Sequence, residues 1–217
     1  LEKNAQEKLV VNLRQLDCTT YVETVLALSR SMAKGQPTFA GFCNNLRQIR
    51  YRNGVVSYPT RQHYFTYWIQ ENTREKLVAD IQSPNPPFSA VQTVKADYMT
   101  THLESYPMLK GKPQWVKQIA EMERGITGTK QRYIPKNAVS DTPLLRKTIH
   151  NGDIIAIVTT KKGLEISHIG IAAWHKDGLH MLNASSLYHK VVEDKNLLRT
   201  YLFKQTSALG IRIVRPL

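Results

Sequence analysis

A chain of 217 residues, 41% hydrophobic and 22% charged, has a globular composition and can bury a core without staples. Thirty Lys and Arg against 17 Asp and Glu give a net charge of +13, which points to an anionic partner: nucleic acid, acidic membrane or a carboxylate-rich polymer such as cell wall. Two cysteines, Cys18 and Cys43, exclude a disulfide scaffold and cysteine-rich zinc sites, and no apolar run approaches the ~20 residues that span a bilayer. The chain begins at Leu1 rather than Met and so reads as a processed or trimmed product, with nothing like a signal peptide in its first 17 residues.

The first zone runs to Gly35. Cys18, Tyr21, Val22, Val25 and Leu28 recur at helical spacing, with Asp17 as the N-cap and Gly35 as the stop. The middle zone, Gln36 to Asn151, reads as helix-rich but broken. Thr38 caps a helix to about Arg50, which Asn53-Gly54 ends. Val55 to Tyr58 reads as a short strand, Pro59-Thr60 as the start of a helix through Tyr64, Phe65 and Trp68, and Glu75 to Ile81 as a strand. The prolines of 83–87 impose an irregular loop. Pro113 opens a helix with Trp115, Ile119 and Met122 on one face and Gly125 at its end.

The last zone alternates and is rich in β-branched residues. Strands are expected over 153–160, 169–174, 179–184, 190–193 and 211–215, separated by Gly163, Asp177-Gly178 and Gly210. Helices followed by hairpin-linked strands make this an α+β chain with an antiparallel sheet.

Cys18 falls in the first turn of its helix. Unpaired backbone N–H groups there favour an anion, lower a thiol pKa and can serve as an oxyanion hole. A free cysteine is more often a buried structural residue, and a lone histidine on a strand is more often core. His168 at the start of Ser167-His168-Ile169-Gly170-Ile171 shifts that balance, because a cysteine on a helix start with a histidine some 150 residues later is the papain-like pairing of nucleophile and base.

A third group must hold the imidazole, and strand parity selects it. A two-residue turn at Asp177-Gly178 pairs Lys176 with Leu179, which puts Asn183 on the face of His168; the opposite parity gives that face to His180. This register leaves Asn183 four residues along from His168, about 13 Å, so contact requires a longer loop or a bulge. Asn183 is the choice and His180 the runner-up.

Three stretches carry a resemblance to the NlpC-type papain-like cell-wall hydrolases: Asp17-Cys18-Thr19-Thr20-Tyr21-Val22, Gly152-Asp153-Ile154-Ile155, and His168-Ile169-Gly170-Ile171 followed by Leu182-Asn183-Ala184-Ser185. Within that family the chain is most similar to an N-acetylmuramoyl-L-alanine amidase-like subfamily. Leu16 to Thr20, Tyr64 to Trp68 and Gly210 to Pro216 carry that closer likeness, which spans nearly the whole sequence. The resemblance implies Cys18 as nucleophile, His168 as base and Asn183 as the third polar residue, often His in relatives. Thr19-Thr20 replaces the usual Ser-Gly, and the interval from His168 to Asn183 is longer than usual.

Outside this set, Arg61 and His63 sit at the start of a predicted helix, where cations oppose the macrodipole, and so are candidates for binding a substrate carboxylate. Tyr133 is a candidate cleft residue. Trp68 and Trp115 read as core, and Cys43 as buried and inert. The seven histidines form no zinc-binding pattern and no Gly-rich phosphate loop occurs, so neither metal nor cofactor is expected.

The expectation is one papain-like domain over 1–217. Its N-terminal helix carries the nucleophile on an antiparallel sheet, and 36–151 form a long helical insertion between nucleophile and base. The resemblance implies a cysteine amidase of peptidoglycan or muropeptides cutting the muramoyl–L-alanine bond, exported to the bacterial periplasm or envelope, monomeric, and without nucleic acid as partner. The same machinery would suit a peptidase cutting between D-glutamate and a diamino acid. A basic, non-catalytic binding module and a lipid acyl hydrolase are the readings from other classes.

Overall fold

In the computed structural model, residue 4 and residues 6–217 are described. Asp17 closes a capping box at the first helix, α1 (Cys18–Ala33): its carboxylate accepts the Thr20 N–H at 2.7 Å, and the Asp17 N–H donates to the Thr20 hydroxyl at 2.9 Å. Such a cap contributes about 1 kcal/mol and fixes where the helix begins, one residue before the thiol. Gly35, at φ +65°, follows the helix end. Thr38 caps α2 (Phe39–Arg50) by accepting the Gly41 N–H. Both helices lie where the periodicity puts them.

The next stretch departs from expectation. Residues 55–58 form no strand; Tyr58–Thr60 make a single 3₁₀ turn, and Tyr51 bridges to Arg61. The helix α3 begins only at Phe65 (Phe65–Arg74). Pro59 therefore opens a turn that His63 closes, its Nε2 lying 2.8 Å from the Tyr58 carbonyl.

The chain continues through β1 (Val78–Ile81), β2 (Ala90–Thr93), α4 (Tyr98–Thr101), α5 (Pro113–Ile126), β3 (Lys130–Pro135) and α6 (Pro143–Thr148). Then come β4 (Ile154–Thr159), β5 (Ile166–Trp174), β6 (Leu179–Ser185), β7 (Lys190–Glu193), α7 (Leu198–Lys204) and β8 (Ala208–Pro216). The eight strands form one antiparallel sheet in the order β2-β3-β8-β4-β5-β6-β7, with β1 paired to β8 beside β3. The segment 36–151 is thus more than a helical insertion: it supplies three strands, two of them on β8. Nine residues long, β8 has room on one edge for both, β3 at Gly210–Ile211 and β1 at Ile213–Pro216.

Every residue of β4 is buried. Ile154 and Ala156 face α1, α2 and α3, in a core with Val22, Leu46, Trp68, Ile169 and Val214. Ile155 and Ile157 face α6 and α7, with Leu145, Leu198, Leu202 and Ile213. Helices therefore cover both sides of the central strands. A third cluster, with Tyr64, Ile119 and Met122 at its centre and Trp115 against it, stabilises α4 and α5. Trp68 is a core residue, as its spacing suggests, whereas Trp115 is only partly buried. No helix among the described residues is long and apolar enough to cross a membrane.

The middle segment also holds down the residues before Cys18. The Arg50 guanidinium lies 2.7 Å from the Glu23 carboxylate, both side chains being almost wholly buried, and it donates to the Val10 carbonyl at 2.8 Å. Tyr51 donates to the Glu7 carboxylate at 2.6 Å, and Arg61 pairs with the same carboxylate at 3.6 Å. These contacts tie 7–16 across α2 as a strap. Glu23→Gln leaves Arg50 charged, buried and without its counter-ion, and is expected to cost about 3 kcal/mol in urea unfolding. A loss below about 1 kcal/mol would show that the pair does not anchor the strap.

Candidate active site

Cys18 is the first residue of α1, and the cap places its side chain over the start of the sheet. Its sulfur lies against the Ile169 backbone of β5 and the Thr19 side chain and backbone, all of which hydrogen-bond to it. Residue 168 is aimed by an irregularity in β5. His168 pairs with Ile157, but the next pair is Val158 with Ile166, so Ser167 is the extra residue of a β-bulge. Bulges bend a strand and redirect the adjacent side chain. Here His168 enters the cleft that holds Cys18.

The β5–β6 hairpin decides which side chain reaches His168. Trp174 faces Leu179 and Ile171 faces Leu182, so the connection is four residues long rather than two. The parity argument holds, and the longer loop shortens the separation. Continuing the register puts Asn183 across from Gly170, two residues from His168 rather than four. The Asn183 Oδ1 lies 3.0 Å from His168 Nε2, while its Nδ2 donates to the Met181 carbonyl at 3.3 Å. The amide orientation is thereby set, and Nε2 carries the proton it donates to Oδ1. That leaves Nδ1 as the basic nitrogen of the ring. Gly170 permits the close approach: a Cβ there would sit 2.5 Å from Met181 Cγ and 2.6 Å from the Leu182 carbonyl oxygen.

His180 points away. Its Nδ1 takes the Asp194 carbonyl and its Nε2 the Asp177 carboxylate, on the far face of the strand. The runner-up therefore does not reach His168.

The substrate-binding candidates are not in the cleft. Arg61 is buried against Glu7 and over the Tyr58 ring; His63 packs on the same ring, and burial with the Arg61 charge pulls its imidazole down to about 3. They precede α3 instead of starting it, so the dipole argument that selected them does not apply. Tyr133 is buried in β3 opposite Ala90. Cys43 lies half-buried in α2, against the core shared with α1.

The thiol also differs from expectation. Burial pushes the Cys18 thiol up, and the Asp17 carboxylate adds to that; the hydrogen bonds from Ile169 and Thr19 only partly offset it. The capping carboxylate occupies the positive end of the helix that a thiolate would otherwise exploit. Burial also lowers the His168 imidazole below its ordinary value, against the Asn183 hydrogen bond. Both shifts favour the uncharged forms, a thiol and a neutral imidazole, over an ion pair. Alkylation of Cys18 by iodoacetamide is expected to rise with a midpoint at or above the usual ~8.5. A plateau of reactivity persisting to pH 6 would contradict a neutral pair.

Sequence reasoning missed Tyr201, whose ring stacks beside His168 with centroids 6.4 Å apart. The signal was present: Leu198, Tyr201 and Leu202 have helical spacing, and the two leucines are buried in α7.

The cleft has a volume of about 770 Å³ and is lined by residues 13–18, by His168, and by residues 184–186 and 189–191. A separate hollow of about 390 Å³ between α1 and β4–β5, lined by Val22, Val25 and Ile171, contains neither Cys18 nor His168. Among the described residues no three His, Cys, Asp or Glu side chains are grouped to hold a metal ion. A thiol, a base and an amide orienting that base are the set that nucleophilic catalysis at a carbonyl requires.

A family model described as AmiA-like, N-acetylmuramoyl-L-alanine amidase-like, matches residues 1–211. No protein among curated ones matches. A crystal structure of an N-acetylmuramoyl-L-alanine amidase from Bacteroides uniformis superposes with a TM-score of 0.91 at 33% identity, over 100% of this chain and 90% of that one. A candidate xylanase from Bacteroides fragilis is 38% identical, with a TM-score of 0.90 over 99% of this chain and 93% of that one. A Legionella pneumophila protein aligns at 27% identity with a TM-score of 0.66, over 93% and 75%. With nearly its whole length matched by the family model, the chain belongs to the N-acetylmuramoyl-L-alanine amidase-like family.

Proposed function

We propose that the protein is a cysteine amidase of NlpC-type, papain-like architecture that cuts the bond between the muramoyl lactyl group and L-alanine in peptidoglycan or its fragments. The observation that carries this is Cys18 at a capped helix start, in one cleft with a His168 whose Nε2 is held by Asn183. Nδ1 of His168 takes the thiol proton as sulfur attacks the carbonyl. The Cys18 N–H, without a helical partner, is available to the developing oxyanion, and the Thr19 N–H can turn to it from the sulfur. The imidazolium passes its proton to the leaving amine of L-alanine. Water, deprotonated by the same nitrogen, then releases the acyl group and restores the thiol.

The B. fragilis relative's name suggests glycoside cleavage. That chemistry ordinarily needs two carboxyl groups across the cleft. Among the described residues lining it only Asp17 has one, and that carboxylate is engaged with the Thr20 N–H and hydroxyl. The cleft rim, with Arg14, Ser185 and Lys190, suits a polar substrate better than an acyl chain. A cell-wall substrate places the working protein outside the cytoplasm.

The test is incubation with defined muropeptides and identification of the products by mass. A released stem beginning with L-alanine supports the amidase. A stem cut after D-glutamate assigns the endopeptidase, and absence of any Cys18-dependent product overturns both.

A further inference from the structure

We propose that the cleft carries a carboxylate subsite formed by Arg14 and Lys190, so that acidic stem peptides are the preferred substrates and amidated stems poor ones. The inference rests on the amidase reading and extends it from the bond cut to the peptide recognised.

Arg14 stands in the strap, four residues before Cys18, and Lys190 opens β7; both line the cleft. His189 lies beside Lys190. None of these three side chains has a hydrogen-bond or ion-pair partner among the described residues. Some arginines elsewhere have acid partners, Arg146 with Asp141, Arg212 with Asp80 and Arg215 with Asp153, whereas Arg124, like Arg14, has none among the described residues. The one carboxylate lining the cleft, that of Asp17, is consumed by the helix cap. Two cations and an imidazole, all exposed, thus line a cleft in which no described residue has a free acid to answer them.

The backbone holds them there. His189 has φ +52°, a left-handed conformation unusual for a residue with a side chain, which sets the turn entering β7. Before Cys18 the Asn12 side-chain oxygen accepts the Arg14 and Gln15 N–H groups, at 3.0 and 3.1 Å, and fixes the strap at Arg14. A guanidinium can take a carboxylate with two parallel hydrogen bonds, and an ammonium adds a point charge. In a muramoyl peptide the carboxylates of D-glutamate begin one residue beyond L-alanine, roughly 7 Å from the bond cut at about 3.5 Å per residue. That is within reach of side chains sharing a cleft with the nucleophile.

The test uses Cys18→Ala protein, which does not turn over, titrated calorimetrically with N-acetylmuramoyl-L-alanyl-D-glutamate and with its diamide. The diacid is expected to bind at least about tenfold more tightly, with a ratio that shrinks as salt is added. Arg14→Gln with Lys190→Gln should bring the ratio close to one, and Arg14→Lys should keep most of it. Equal affinities, undetectable binding of both, or a preference that survives the double substitution overturns the subsite. The same pair given to active enzyme separates the two readings. Tighter binding of the diacid without cleavage of either compound keeps the subsite and sinks the amidase. Cleavage with no acid preference does the reverse.

Discussion

Cys18→Ala is expected to reduce hydrolysis of a muropeptide by about 10⁴-fold or more, as loss of a catalytic nucleophile does. The substitution removes a single sulfur from a half-buried site and leaves the Asp17 cap, built from Thr20, untouched. The melting temperature should therefore move by only a few degrees. Product release is followed by mass or by chromatography of the freed stem. Near-wild-type hydrolysis by the alanine variant would remove the covalent mechanism altogether.

The second large effect belongs to Asn183. Without its Oδ1, nothing pins the Nε2–H tautomer of His168, and the basic nitrogen is no longer held toward the cleft. Asn183→Ala should lower kcat by about 10³-fold with little change in KM, since the orienting bond matters most when the imidazolium forms. His180→Ala should leave kcat near wild type, because that ring serves the Asp194 carbonyl and Asp177 on the other face. The reverse outcome would mean that the hairpin register positions the wrong residue. Because burial depresses the imidazole of His168, its base form persists into mild acid. The acid limb of kcat/KM should accordingly lie below the ordinary ~6.5 of histidine.

Much of this site could be read from residues alone because its logic is local. A cap residue fixes Cys18, and strand patterning locates His168, though not the bulge at Ser167 that aims it. The parity of one hairpin picks Asn183 over His180 even when the turn length is misjudged. What failed depends on distant partners. Arg61 and His63 look like exposed cations at a helix start; their burial follows from Tyr58 folding back and from Glu7, 54 residues before Arg61, arriving beside it. The thiol was expected to ionise easily because the helix dipole is visible in the sequence, whereas its burial against Ile169 is not. In β3, Gln131 and Tyr133 are buried while Lys130 and Arg132 are exposed, a strand-like alternation hidden by its charged members. Recognising the strand would have required β8, where Ile134 meets Ile211, 77 residues later.

That last strand imposes an order of events on the newborn chain. Since β8 is the common neighbour of β1, β3 and β4, the middle of the sheet is missing until residues 208–216 are available. At about 5–20 residues per second, roughly 10–40 s of synthesis separate the appearance of Cys18 from that of β8. During that interval α1 has no finished surface to pack on, and the strap has no settled wall to face. Cys18 is made long before β8, yet the cleft it lines can close only once that last strand of the sheet exists. A ribosome that stalls late would leave a chain with every proposed catalytic side chain and no hydrolase.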